Sequence, residues 1–564
     1  MNRLRIGIAL LLAAGAAFPV AAQQVPTHPN APEPVQIPEP DESTDSPEAV
    51  LAQASASLGE ILGGRGLRPD VANRIRNAQK HAGLARDALM AMDSDLELAA
   101  SRIRIANHEL ERARAATRDA ALDATLLREQ ARMTGVAREL GDGMLRRALA
   151  GGVDRILTLP AQEAMVAGDR LAARGDHDGA VNEYAKALPL KNALAFDPEL
   201  FQQLVREMLD GETVGYAVVT VRQGQLEPKG TWANGTFVAT PGAEVPASVD
   251  KEMNIASVTK PITATAALRV MKARGISIDD PIGPYLPWDW ARGAGVDEIT
   301  FRQLLTHRSG LANNAAGGST SYDNMKSFVA TDITLTDEPD GYPKYKYQNS
   351  NFGLFRVMLR TMIYGCSSPD TDCPPTDLVQ NDLAHFYRNY VQCDVLGPMG
   401  LSPGDPENGS CGGPDLKPDV NDVTPTRYYY QPVISVTSWT GSDWTYAAGG
   451  GGWYFTAREL AQYLAHLRYN DQILDAETRK TMYADKLGWK TRAGTFGVYR
   501  MHGGGLIADQ PVPDVGIVQT GLITLIADFG DGNQASLMIN SLGGDHADKY
   551  VVFQTAYDGA WVTK

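Results

Sequence analysis

The sequence predicts an α/β sheet domain over residues 196–564, preceded by an all-α region over 48–195. Three observations carry this. Residues 48–195 are dominated by Ala, Leu, Arg and Glu, with few aromatics and no strand-like alternation. After Asp197 the character changes: the β-branched run Val214–Arg222 reads as a strand, and Gly and Trp become common. Near the C-terminus two more strand-like runs, Gly521–Ala527 and Ala535–Ile539, precede an amphipathic closing segment from Asp548. At 564 residues the chain is too long for one ordinary domain. Its 43% apolar content is enough for a sizeable core.

From the N-terminus, Arg3 and Arg5 form a basic n-region, Ile6 to Ala17 an apolar core, and Val20-Ala21-Ala22 a small-residue cleavage site. Residues 1–22 are therefore expected to be an export signal. The apolar run is too short to span a bilayer, and no cysteine near the cleavage site could carry a lipid. The expectation is a periplasmic or secreted protein with no membrane span after signal removal. Residues 23–47 hold Pro26, Pro29, Pro32, Pro34, Pro38 and Pro40 among acidic and serine residues, which predicts a disordered or extended linker.

In the helical region Ser94 and Glu97 have capping-box spacing. Behind them runs a stripe of Leu96, Ala99, Ile103, Ala106, Leu110, Ala113, Thr117, Ala120, Ala124 and Leu127, whose small members favour close approach of a partner helix. A bundle within the chain and an intermolecular coiled coil both satisfy it, so residues 48–195 are a candidate surface for self-association or a protein partner. Residues 167–188 resemble a single tetratricopeptide-type helix pair, a hairpin that one copy cannot extend into a solenoid. Pro198 to Leu209 reads as a short helix.

The four cysteines, Cys366, Cys373, Cys393 and Cys411, share one window. In an oxidising compartment that reads as two disulfides pinning a loop-rich insertion. Three connectivities exist, and nearest-neighbour pairing, Cys366 with Cys373 and Cys393 with Cys411, is preferred. No CxxC pair or neighbouring His completes zinc-ligand spacing, and neither a metal nor another cofactor is expected. A formal charge of −15 leaves no basic block to neutralise phosphates, which argues against nucleic acid as a partner.

The chemistry-bearing pattern begins at Ser257-Val-Thr-Lys260. On a helix the two ends share a face, so an amine stands beside a hydroxyl that needs a base to become a nucleophile. Such a site also needs a second proton-transfer group. Tyr-x-Asn supplies a phenol and an amide pointing the same way, and three copies exist: Tyr322–Asn324, Tyr347–Asn349 and Tyr387–Asn389. Tyr347 is selected because an apolar helix opens immediately after it, in Tyr-Gln-Asn-Ser-Asn-Phe-Gly-Leu-Phe. The third element is His502-Gly503-Gly504-Gly505, whose backbone N–H groups could help form an oxyanion hole and whose glycines admit a substrate. Lys490-Thr491-Arg492 reads as a decoy because it lacks that glycine.

Taken in order, Ser257-x-x-Lys260, Tyr347-x-Asn349 and His502-x-Gly504 resemble the three elements of the β-lactamase and penicillin-binding-protein superfamily of serine hydrolases. The class C β-lactamases, with their esterase and D-amino-acid-specific peptidase relatives, are the most similar branch. The stretches 278–286, 299–311, 347–355 and 450–461 extend the likeness, which covers residues 196–564 and leaves the helical region unexplained. The resemblance implies an antiparallel sheet flanked by helices, with a helical lobe. It also implies that Ser257 becomes acylated, that Lys260 and Tyr347 share acid and base duties, and that Asn349 contacts the substrate. The N–H groups of Ser257 and Gly505 would form the oxyanion hole, and Asn313 or Asn314 would match a substrate-binding amide.

Dedicated β-lactamases of this type carry Lys-Thr-Gly at the third element. Here His502 and Gly503 remove the hydroxyl and replace a permanent charge with a group expected to titrate near 6.5. The function expected is an exported hydrolase acting on a small ester, a D-amino-acid amide or a peptidoglycan-type peptide. A true class C-type β-lactamase and a non-catalytic penicillin-recognising or scaffold protein are the rival readings. No His-Glu-x-x-His occurs, which argues against a zinc protease. His307, in Thr-His-Arg-Ser-Gly, is expected to be structural.

Overall fold

The computed structural model describes residues 35–36, 46–64, 66–240, 242–311, 320–333, 343–365, 376–402, 411–419, 421–422, 424–430, 443–512, 516–542 and 548–564. The export-signal residues 1–22, Asn313, Asn314, Cys366 and Cys373 lie outside the described residues. Cys393 and Cys411 form a disulfide, as preferred.

Strand β1 (Val35–Gln36) lies within the proline-rich stretch read as a linker. Six helices follow: α1 (Pro47–Gly63), α2 (Pro69–Leu89), α3 (Leu96–Ala116), α4 (Ala120–Ala150), α5 (Arg155–Ala173) and α6 (His177–Tyr184). The α3 half of the small-residue stripe is buried, from Leu96 to Ala113, and packs against α2, which offers Ala78, Ala82, Ala85 and Ala88 in return. The stripe does not continue into one long helix. Thr117 ends α3 and the Asp119 carboxylate caps α4, so the phase resets and Ala120 and Ala124 face solvent. The α3 cap is also one residue later than the capping-box reading. Asp95 accepts from the Leu98 N–H, and Ser94 instead donates to the Leu89 carbonyl. Helices α5 and α6 form the expected hairpin.

After β2 (Leu194–Phe196) and α7 (Pro198–Leu209) come β3 (Gly215–Arg222), β4 (Gln225–Val238), β5 (Val245–Pro246) and β6 (Met253–Asn254). The helical lobe then contributes α8 (Thr259–Arg274), α9 (Phe301–Leu305), α10 (Tyr322–Val329), α11 (Asn349–Tyr364), α12 (Thr376–Tyr390), β7 (Tyr429–Tyr430), β8 (Tyr454–Phe455), α13 (Ala457–Tyr469) and α14 (Ala476–Ala484). The chain returns to the sheet in β9 (Lys490–Gly494), β10 (Gly497–Val512), β11 (Gly516–Asp528), β12 (Asn533–Ile539) and β13 (Ser541–Leu542), and closes with α15 (Lys549–Gly559) and β14 (Trp561–Thr563).

The main sheet runs β1-β10-β11-β12-β3-β4-β5, with β9 also on β10. Every pairing along that path is antiparallel, the fold class expected. Side chains alternate faces along each strand. Val219, Val221, Leu506, Leu522 and Met538 face α8 and the lobe, whereas Val218, Val498, Ile523, Leu525 and Leu537 face the other way. That second face carries α7 and α15, and its apolar cluster runs on without interruption into the α1–α6 bundle. The boundary near 195 is thus a change of secondary structure across which one core continues.

Polar clamps reinforce the junction. Buried Arg500 donates to the carbonyls of Met90 and Ala91, in the α2–α3 turn. Arg468 donates to the Met92 carbonyl at 3.0 Å, to Asp93, and to Asp528 at 2.7 Å. Among the described residues, no helix is long and apolar enough to cross a membrane.

Candidate active site

Ser257 stands in a tight turn before α8. Ala256, just before it, takes a left-handed φ of 47°, costly for a residue with a Cβ. The turn is held because Asn254 Oδ1 accepts the Ala256 N–H at 2.8 Å and the Ile255 carbonyl accepts from Thr524 Oγ1 at 2.8 Å. One helical turn on, Lys260 is fully buried. Its Nζ lies 3.0 Å from Ser257 Oγ, 2.8 Å from Asn349 Oδ1 and 2.5 Å from the Gly450 carbonyl. Tyr347 approaches from the segment before α11, its hydroxyl 2.7 Å from Ser257 Oγ. The serine oxygen is therefore in contact with an amine and a phenol together, which is the arrangement an activated hydroxyl needs.

The structure brings Ser257, Lys260, Tyr347 and Asn349 together. The other Tyr-x-Asn copies are elsewhere. Tyr322 accepts from Trp290 Nε1, and Tyr387 is fully buried against Thr263 and Trp453.

Gly504 lies on β10 against the serine turn. A Cβ there would sit 2.4 Å from the Ile255 carbonyl and 2.9 Å from the Ser257 nitrogen, so no larger residue fits. Gly505 follows it on the same strand.

His502 differs from expectation. It is 2% exposed, and its pKa lies well below 6.5, first because burial removes it from water and then because Lys260 and Lys490 repel a further positive charge. Its Nδ1 is 2.8 Å from the Gly503 carbonyl, which can only accept, so the neutral ring carries its proton there. A histidine titrating near 6.5 is thus replaced by one that stays neutral.

Two groups were undervalued in the sequence. Lys490, dismissed as part of a decoy, sits on β9 opposite Met501 of β10, next to His502. It is 7% exposed, and its Nζ lies 5.6 Å from the Tyr347 ring centre, while Lys260 Nζ lies 4.8 Å from it. The site therefore has a second lysine, delivered by strand pairing rather than by the third motif. Gly450 is the other: besides accepting from Lys260, it lies so close to Asn349 that a Cβ would approach the Asn349 carbonyl to 2.7 Å.

His307 supports Tyr347, its ring 4.5 Å away. Its Nδ1 accepts from the Gln348 N–H at 3.3 Å, and burial, then Lys260 and Lys490, hold its pKa well below 6.5. A histidine kept neutral by the fold binds its proton more weakly than in the unfolded chain. The unfolded state then takes up more protons as the pH falls below about 6.5, and stability falls with it. His307 and His502 should each steepen the loss by up to about 1.4 kcal/mol per pH unit. The melting temperature is expected to drop between pH 7 and 5, less steeply in His502→Gln. An equal slope in that variant would contradict the neutral assignment.

A separate cleft of about 740 Å³ lies near the C-terminal end of α8, lined by Arg269, Tyr364, Phe386 and Tyr390 among others. It contains none of the groups around Ser257.

Parts of the chain are similar to known proteins. Esterase EstB of Burkholderia gladioli is 33% identical over 141 residues, 24% of this chain and 34% of that protein. Beta-lactamase-like protein 4 of Dictyostelium discoideum is 25% identical over 241 residues, 40% of this chain and 38% of that protein. The chain thus spans a little over a third of the length of these curated relatives. Among solved structures, a D-stereospecific amidohydrolase from Streptomyces sp. superimposes with a TM-score of 0.42 at 20% identity, covering 64% of this chain and 98% of that one. Residues 201–362, which carry Ser257, Lys260, Tyr347 and Asn349, match the Beta-lactamase family, so this part of the chain resembles that family.

Proposed function

We propose that the protein is an exported serine hydrolase that cleaves a small ester or D-amino-acid amide through an acyl-enzyme on Ser257. The observation that carries this is the serine oxygen held 2.7 Å from Tyr347 and 3.0 Å from Lys260. Ser257 Oγ attacks the carbonyl carbon while its proton passes to the Lys260–Tyr347 pair that it touches, which together serve as the base. The tetrahedral oxygen is held by the N–H groups of Ser257 and Gly505. Collapse breaks the bond to the leaving alcohol or amine, which takes the proton. Water then attacks the acyl-enzyme and delivers a proton to the same base; the bond to Ser257 Oγ breaks, the base returns the proton to that oxygen, and the acid is released. Export is supported by the leader-like N-terminus and by the Cys393–Cys411 disulfide.

Lys490 alters the substrate expectation. The third motif offers no fixed cation, but this lysine provides one beside Tyr347, so a substrate carboxylate has a partner independent of His502. Lys490→Met should lower kcat/KM for D-alanyl amides bearing a free carboxylate by about tenfold or more, the scale of a charge-assisted hydrogen bond. Neutral p-nitrophenyl acetate should lose less. The preference for the carboxylate should not strengthen as pH falls through 6.5. Equal losses on both substrates would remove Lys490 from substrate recognition. The function itself is tested by fluorophosphonate labelling and a screen of p-nitrophenyl esters, D-amino-acid amides and nitrocefin. No labelling and no turnover would leave a non-catalytic role, and fastest turnover of nitrocefin would make the protein a β-lactamase.

A further inference from the structure

His307 stands in the turn after α9 with a φ of 57°, in the left-handed region that is costly for a residue with a Cβ. What that conformation accomplishes is visible on the segment before α11. The His307 carbonyl accepts the Lys346 N–H at 2.8 Å, and the ring Nδ1 accepts the Gln348 N–H at 3.3 Å. One residue therefore grips both neighbours of Tyr347, while its ring lies 4.5 Å from the phenol ring between them. The phenol so held is the one in contact with Ser257 Oγ.

The grip works in one ring state only. A backbone N–H donates, so the nitrogen that takes it carries no proton. Asn351, in the first turn of α11, meets the same nitrogen with its Nδ2 at 3.3 Å. Its Oδ1 accepts from the Ser309 hydroxyl at 2.9 Å, which keeps the amide turned with its NH2 toward the ring. The ring proton is left on Nε2, which is buried and has no hydrogen-bond partner. A protonated ring would offer donors at both nitrogens and lose Gln348. A residue placed for packing alone would need neither the ring nitrogen nor the left-handed backbone.

We infer that His307 is the positioning residue for Tyr347: the chain Ser309–Asn351–His307 fixes one tautomer of the ring, and the ring and carbonyl together hold the phenol against Ser257. This rests on the hydrolase reading above and assigns a task to a residue expected from the sequence to be structural.

The test uses the full chain. His307→Phe keeps a ring beside Tyr347 but no acceptor, and kcat for p-nitrophenyl acetate should fall at least about tenfold, as misplacement of a reacting group does. KM should change by less than about twofold, because the loss is of proton transfer rather than binding. His307→Asn should recover most of the rate, since its Oδ1 can accept from Gln348 and asparagine tolerates the left-handed backbone. In a Tyr347→Phe background, His307→Phe should slow fluorophosphonate labelling by less than about twofold, the non-additivity of residues that act together. Nitrogen-15 NMR of the histidines should show the His307 ring protonated at Nε2. Should the Phe variant fail to fold by circular dichroism, Asn351→Asp takes its place: the carboxylate draws a proton onto Nδ1, and the same Tyr347-dependent loss is expected. Three results overturn the inference: an equal loss with and without the Tyr347 hydroxyl, equal impairment of the Phe and Asn variants, or a proton on Nδ1. Absence of turnover and labelling in the unaltered chain would instead sink the hydrolase reading, and the spectrum would still show whether the ring holds the segment as described.

Discussion

Ser257→Ala is expected to abolish both ester turnover and covalent fluorophosphonate labelling, with little change in melting temperature. The oxygen removed is the acceptor of the acyl group, and it contacts both Lys260 and Tyr347. Lys260→Ala should also lose activity, by about 100-fold or more for a group that moves or polarises a proton. Its stability signature differs. Removing Nζ leaves Asn349 Oδ1 and the Gly450 carbonyl buried without their donor, at about 1–3 kcal/mol each. The pair of variants thus separates a group needed only for chemistry from one that also holds the site together. Full activity in Ser257→Ala would end the acyl-enzyme assignment.

Removal of residues 48–195 is expected to prevent residues 196–564 from forming a stable fold. A change of composition such as the one near 195 is compatible with a catalytic domain that folds by itself. The structure instead continues one apolar cluster from Leu96, Met90 and Leu194 into Val498, Phe496 and Trp561. Exposing a handful of such side chains costs about 1.5–3 kcal/mol apiece, against a total stability of about 5–15 kcal/mol. The cut also destroys β2, the partner of β14. Circular dichroism and thermal unfolding of the truncated chain should show a loosened or aggregating species with no ester turnover. A cooperative transition with retained activity would show that the bundle is dispensable.

What was legible in the sequence was local. Ser257 and Lys260 fall on one helical face whatever the rest of the chain does, and β3 was legible from its β-branched run. The stripe through 96–127 misled because Thr117 and Asp119 preserve its spacing on paper while ending one helix and capping the next. Lys490 was illegible for a different reason: only the β9–β10 register carries it to Tyr347, and no local pattern encodes that register. The ionisation of His502 depends on what buries it, which is again a property of the assembled sheet. The serine, lysine, tyrosine and asparagine could be named from the chain, whereas the charge environment around them could not.

The clamps at the α2–α3 turn have a consequence for how the molecule is made. Arg500 and Met90 are separated by 410 residues, and Arg468 and Met92 by 376. The N-terminal helices therefore emerge long before the strands that lock their turn in place, and β3 waits for β12 before its outer edge is filled. Closing such distant contacts is slow and leaves apolar faces uncovered in the interim. Maturation should thus be limited by arrival of the last 75 or so residues, and the newly made chain should depend on a holding chaperone until they arrive.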